Sequence, residues 1–324
     1  MRALIHDGKQ LLLRNTLPTP ELKEGEAIIR PLRLGVSATD VQIARGLCAF
    51  SGTLGREFVG VVEAVHGAAN EFADCRVVGS PIAYCGTCDR CQSGLRTHCH
   101  HRTVMGLHDR DGCFADRFTL PVANLVRVPE TVDDDRAVFT LTVASALQAI
   151  RQLTIEGKPY ITVLGDGPLG LITAQVMAKL NASVRLIGRY SEKMAMCEKW
   201  GIKHRHVDDI GRRADQDIVV DCTGSPGGFG LGVQLVRPRG TLVIKTLLAE
   251  WNTLNAGVDL TNVVLNEIVV IGSHIGSLRE AILVLEREDV DVLSLIGRRM
   301  TLSDGPAIVS AAQQPGMLKV LVEL

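Results

Sequence analysis

The run Tyr160-Ile161-Thr162-Val163-Leu164 leads directly into Gly165-Asp166-Gly167-Pro168-Leu169-Gly170, and an amphipathic segment from Leu169 to Leu180 follows. A buried apolar run, a G-x-G-x-x-G turn and a helix, in that order, predict a strand–turn–helix unit shaped to hold a dinucleotide. The first glycine makes the tight turn and the second lets the backbone approach a pyrophosphate. The third lets the helix pack on the strand, with the helix N-terminus facing the phosphates. A glycine turn that holds no ligand is the plainer alternative. Further strands are expected at 184–187, 217–220 and 241–244, with a helix from Glu192 to Trp200 among them. Strands alternating with helices predict parallel βαβ units and a doubly wound sheet. A helix at 278–287 and a closing strand at 318–322 complete the expected elements.

The part of the chain before residue 137 reads differently. Short apolar or alternating runs at 27–30, 58–65 and 76–78 lie between Gly, Pro and Asp, and few helical patterns appear. This texture predicts an antiparallel or barrel-like β domain. A length of 324 residues exceeds what a single core usually serves, so two domains are expected. Hydrophobic residues at 46% and charged residues at 22% suffice for two cores. The formal net charge of −1 argues against a nucleic-acid partner. The N-terminus has no apolar signal region, and no apolar run reaches about 18 residues, so a soluble, cytoplasmic protein without a membrane anchor is expected.

Four of the nine cysteines crowd into one short stretch, Cys85, Cys88, Cys91 and Cys99, spaced C-x2-C-x2-C-x7-C. Four thiolates so spaced can converge on one tetrahedral Zn²⁺, with Gly86 and Gly94 letting the chain bend around it. An all-thiolate site has no open position for substrate, so its zinc is expected to be structural. An iron–sulfur cluster is the rival reading, but ferredoxin motifs close with x3-C-P rather than x7-C-H. Free or disulfide-bonded cysteines are the metal-free alternative. His98, His100 and His101 flank the last cysteine and are expected to be solvated or hydrogen-bonded.

Cofactor choice is read at the end of the second strand of the dinucleotide unit. An NAD site usually places an acid there to bind the ribose 2′-hydroxyl. This chain has Gly188 instead, followed by Arg189-Tyr190-Ser191-Glu192-Lys193. Loss of the carboxylate relieves repulsion, and Arg189 can grip a 2′-phosphate with help from Ser191 and Lys193. NADP(H) is therefore expected over NAD(H). A surface arginine stacked on adenine is the plainer reading.

The cysteine cluster, the glycine loop and their order resemble the medium-chain dehydrogenase/reductase superfamily, in its zinc alcohol dehydrogenase-like group. The resemblance runs through Gly35-Val36-Ser37-Ala38-Thr39-Asp40, Gly55-Arg56-Glu57-Phe58-Val59-Gly60 and Gly112-Cys113-Phe114-Ala115-Asp116. It continues through Asp221-Cys222-Thr223-Gly224 and Arg237-Pro238-Arg239-Gly240-Thr241. It implies an α/β fold in which a GroES-like β-barrel catalytic domain (1–136, with 275–324 returning to it) surrounds a Rossmann doubly wound domain (137–274). Homodimers or homotetramers and a small-molecule substrate are implied as well. Thr223 joins the loop residues as a cofactor contact, and Thr39 matches the family's hydroxyl relay.

The chain departs from the family at the catalytic zinc. The ligand positions carry Ser37, Arg56 and, by a looser alignment, Leu141. Serine is a poor zinc ligand, leucine is none, and arginine brings positive charge. Three functions are consistent with that pattern. One is a zinc-independent reductase or dehydrogenase in which Arg56 stabilises an oxyanion and Thr39 passes a proton, with Ser37 nearby. Another is a catalytically silent NADP(H)-binding sensor or interaction protein. The last is a zinc alcohol dehydrogenase with ligands relocated to Cys48, His66 or His108. The plainer readings make Ser37 and Thr39 local turn bonders and Arg56 the partner of Glu57 or Asp40.

Overall fold

A computed structural model describes residues 1–67, 70–211, 213–246 and 259–324. The chain divides into two compact units. The first comprises Met1–Leu141, Leu285–Arg287 and Leu295–Leu324; the second comprises Thr142–Val284 and Glu288–Ser294. The division falls inside the helix Thr140–Arg151. The return to the first unit comes later than residue 275, because most of the helix Leu278–Glu286 belongs to the second.

The first unit is built on the long strand Glu26–Gly35, which pairs antiparallel with Glu57–Val65, Phe118–Pro121 and the closing strand Lys319–Glu323. Ile29 and Leu34 on that strand are fully buried with Phe58, Phe114, Phe118 and Leu120. Phe58 and Phe118 meet edge to face at 4.7 Å. Each such side chain contributes roughly 1.5–3 kcal/mol by leaving water. The pairing of Leu321 with Gly35 sets Lys319, at the chain's other end, beside the turn that follows Gly35. A short helix, Ala38–Ala44, starts there.

The second unit carries, among its described residues, six strands in a single parallel sheet. Their order is 203–206, 183–188, 160–164, 216–221, 236–244, 269–272. This is the doubly wound order that reverses direction at its first strand, and ligands of such sheets bind at the carboxyl ends there. Ile161, Val163 and Leu164 of the first strand are at most 1% exposed. That fits the apolar run of a strand covered on both faces. The expected strands match closely. The expected helix 192–200 forms as two short pieces, Ser191–Met194 and Met196–Lys199. No helix among the described residues is long and apolar enough to cross a membrane.

Candidate functional site

The four clustered cysteines lie on an excursion between two paired strands. Ile82–Ala83 and Thr103–Met105 run antiparallel, with Ala83 opposite Thr103, so the chain leaves and returns at one place. Between them Cys88 precedes a helical turn, Asp89–Gln92, which holds Cys91, and Cys99 follows a second turn, Arg96–His98. Gly86 and Gly94 adopt φ of 78° and 83°, which favours glycine. The Sγ atoms of all four lie within 4.8 Å of one another. Individual separations are 4.0 Å (Cys85–Cys91), 3.8 Å (Cys88–Cys99) and 3.5 Å (Cys85–Cys99). A tetrahedron with Zn–S bonds of about 2.3 Å has edges of about 3.8 Å. The donor set therefore fits a zinc ion. Backbone N–H groups of Cys88 and His101 point at Cys85 Sγ and Cys99 Sγ, as thiolates require. His98 bonds Thr97 and His100 meets Asp89, both outside the cluster.

In the second unit Gly165 has φ of 106°, and a Cβ on Gly170 would sit 1.9 Å from Gly165 O. Close approach of turn and helix thus requires both glycines. Gly167 precedes the helix Pro168–Ala178, with Pro168 and Leu169 opening it. A Cβ on Gly167 would meet nothing within 4 Å, so its side of the backbone is open to a phosphate. Thr223 follows the strand Gln216–Asp221, where its N–H and hydroxyl both donate to Asp221 Oδ1. Arg189 projects an exposed side chain from the end of the strand Ser183–Gly188. Lys193 is 7% exposed, with its ammonium 4.5 Å from the Tyr190 ring centre. Burial lowers the Lys193 pKa, which Asp166 partly offsets.

Four charged side chains are buried together in the first unit: Asp40, Arg56, Glu57 and Lys319 are 0%, 8%, 6% and 4% exposed. Asp40 caps the helix Ala38–Ala44. Its Oδ2 accepts from Ser37 N and Oγ at 2.8 and 2.7 Å, and its Oδ1 accepts from Gly55 N at 2.9 Å. Ser37 Oγ is therefore committed to the cap. Arg56 Nη1 donates to Thr39 Oγ1 at 2.8 Å, so its hydrogen bond goes to a hydroxyl while the neighbouring carboxylates act on it through charge. Arg56 Nε is buried with no hydrogen-bond partner among the described residues. Burial lowers the guanidinium pKa, and the charges of Asp40 and Glu57 push it back up. Glu57 Oε2 accepts from Lys319 Nζ at 2.5 Å, and the same ammonium bonds Val36 O.

Lys319 was invisible in the sequence as a site residue, since it reads as the polar position of a closing strand. Lys245 is a second such residue. It follows the strand Val236–Ile244 and donates to Ser273 O, Ser273 Oγ and His274 O at 3.2, 3.0 and 2.8 Å. Burial pulls its pKa down to about 8. Cys48 and His108 line one cavity of about 820 Å³ in the first unit, together with His6 and Phe50, and Arg56 does not reach it. Leu141 lies in the first turn of the helix Thr140–Arg151. Among the described residues, the one group of three or more potential metal donors close enough to share an ion is the four cysteines.

Residues 23–130 match the alcohol dehydrogenase GroES-like domain, and residues 144–324 match the glucose dehydrogenase C-terminus. A sorbitol dehydrogenase of Halalkalibacterium halodurans is 25% identical over 94% of this chain and 93% of its own length. An L-threonine 3-dehydrogenase of Streptomyces avermitilis is 31% identical, covering 70% of this chain and 71% of its own. Among solved structures, a protein described as a zinc-binding dehydrogenase of Sinorhizobium meliloti 1021, bound to NADP, superposes with a TM-score of 0.88. It is 25% identical and covers 100% of this chain and 99% of its own. Galactitol-1-phosphate dehydrogenase of Escherichia coli shares the fold at a TM-score of 0.87 and 21% identity, with both chains fully covered.

Proposed function

The chain belongs to the medium-chain dehydrogenase/reductase superfamily, in its zinc alcohol dehydrogenase-like group, and on that premise we propose a zinc-independent, NADP(H)-dependent oxidoreductase with a structural zinc alone. Its substrate is a small carbonyl, alcohol or activated alkene. The observation that carries this reading is the buried Arg56 guanidinium bonded to Thr39. It stands at a position the family keeps for a zinc ligand. Beside it Ser37 is committed to a helix cap, and Leu141 at the third position has no donor. A guanidinium repels a second cation, so this donor set does not fit a catalytic zinc.

The nicotinamide, when bound, supplies the hydride chemistry; the protein's part is to orient and to stabilise charge on the reacting oxygen. Thr39 Oγ1 accepts from Arg56 and so keeps its own proton to donate. That hydroxyl passes a proton to or from the substrate oxygen. The buried Arg56 guanidinium sets positive charge beside that hydroxyl, which favours negative charge on the reacting oxygen. The 2′-phosphate reading rests on Gly188, which brings no carboxylate of its own, and on Arg189 and Lys193, with Ser191 between them. The NADP held by the Sinorhizobium relative accords with it.

Cysteines without disulfides suit a reducing compartment, the cytoplasm. The outer strand Val269–Gly272 exposes Val269 and Val270, and Val264 and Leu265 beside it are each 73% exposed. These features support a homodimer or homotetramer.

The test is NADPH oxidation across aldehydes, ketones, quinones and enones by protein holding about one zinc per chain. Arg56→Met should lower kcat/KM by about 10²–10³ while NADPH affinity holds. NADPH binding without turnover on any substrate would instead identify a cofactor-binding protein. About two zincs per chain would revive a relocated catalytic metal.

A further inference from the structure

Sites of this fold ordinarily read the adenosine ribose with an acid at the end of the second strand. That position is Gly188 here, yet the structure brings another carboxylate to the same space. A Cβ built on Gly188 would lie 2.6 Å from Asp166 Cβ, 2.6 Å from Asp166 Oδ2 and 2.8 Å from Asp166 Cγ. The Asp166 side chain therefore fills the volume that a strand-end side chain would occupy, and Gly188 is the residue that lets it. Asp166 is 9% exposed, and its Oδ2 accepts from Arg189 N at 2.7 Å and Tyr190 N at 2.8 Å. Both bonds fall on one oxygen. Oδ1 accepts no hydrogen bond among the described residues and is not sealed from solvent, so its lone pairs are open to a donor from a ligand. A ribose hydroxyl is such a donor.

Around the same turn stand two cations. Arg189 is exposed, and Lys193, buried against Tyr190, lies close enough to Asp166 for the carboxylate to act on its charge. We propose that Asp166 is the specificity-determining carboxylate of the adenosine site: Oδ1 accepts the 2′-hydroxyl of NAD(H), while Arg189 and Lys193 take the 2′-phosphate of NADP(H). The acid has moved from the strand end into the glycine loop. The site accordingly binds both cofactors, and the balance of these three charges sets the ratio. The phosphate half of this inference rests on the NADP(H) reading above; the carboxylate half stands on the geometry of Asp166 and Gly188.

Asp166→Asn separates recognition from support, because an amide oxygen still accepts from the Arg189 and Tyr190 N–H groups while the charge is gone. Calorimetric titration of the full chain with NAD⁺ and with NADP⁺ reads the effect. NAD⁺ affinity should fall about tenfold or more, and NADP⁺ affinity should hold or rise as repulsion of the phosphate is relieved. Equal shifts for both cofactors, or none, would overturn the proposal and leave Asp166 a support for the turn. A second variant, Asp166→Gly combined with Gly188→Asp, returns the acid to the strand end and should restore NAD⁺ binding to within about threefold of the parent protein. If that chain folds with unchanged circular dichroism and binds no NAD⁺, the proposal is again overturned. Parent protein that binds NADP⁺ and no NAD⁺ sinks the Asp166 inference and spares the NADP(H) reading. One that binds NAD⁺ alone does the reverse, provided Asp166→Asn still weakens it, and binding of neither sinks both.

Discussion

Asp40, Arg56, Glu57 and Lys319 are four buried charges, two of each sign, held by bonds that reach across the chain. Lys319 and Glu57 are 262 residues apart in sequence, yet their side chains meet at 2.5 Å with at most 6% exposure. A buried pair of this kind gains little over a well-packed apolar pair, but breaking it leaves one charge stranded. Lys319→Met should therefore destabilise the protein by about 3–5 kcal/mol in denaturant unfolding. A loss below about 1 kcal/mol would mean that Glu57 finds another partner or water. Thr39 shows the limit of reading single residues. Its place in a motif suggested a relay, but only coordinates reveal that Arg56 occupies one side of its oxygen. The alternative built on adjacency holds as an effect of charge, since Asp40 and Glu57 both act on the Arg56 guanidinium, while the guanidinium's bond goes to Thr39.

At the scale of elements, the parallel strands were legible because strands covered on both faces are written as apolar runs, such as Ile161 to Leu164. The helix Ala38–Ala44 was missed because seven residues are too few to show a period. Its signal was the capping box of Ser37 and Asp40, a local pattern rather than a periodic one. The expected helix at 192–200 divides at Ala195, whose N–H bonds Ser191 O while its carbonyl accepts from Glu198 N in a tighter three-residue turn. The segment 85–99 has little apolar content of its own, with Cys91 and Cys99 its buried residues. Metal binding should be worth on the order of 10 kcal/mol to its folding. Cys91→Ser is expected to lose the zinc in elemental analysis and to lower the melting temperature. Zinc retained at the parent level would contradict a four-thiolate site.

At the scale of the whole molecule, the first unit is assembled from both ends of the chain. The strand Lys319–Glu323 joins Glu26–Gly35 on one side and Ile296–Thr301 on the other, so the sheet closes only when the last residues arrive. The second unit presents an outer strand whose neighbours Val264 and Leu265 are more exposed than large apolar side chains usually are. Val264→Asp with Leu265→Asp should shift sedimentation of the protein from a dimer or tetramer to the monomer, with no loss of secondary structure. An unchanged oligomer, or a parent protein that is already monomeric, would remove this surface as the interface.

What the sequence by itself determined was set by local rules. A glycine turn between an apolar strand and a helix, and four cysteines at metal-ligand spacing, each carry their meaning within about twenty residues. The two-unit α/β architecture followed from strand texture on either side of residue 137. Tertiary structure alone decided the meetings between distant residues. It paired Lys319 with Glu57 and set the Arg56 guanidinium against Thr39. It also placed the Asp166 carboxylate where Gly188 had none, although the two lie 22 positions apart on neighbouring strand ends. Charge and hydrogen bonding act over a few ångströms, and which groups come within that reach depends on the register of strands brought together from remote parts of the chain.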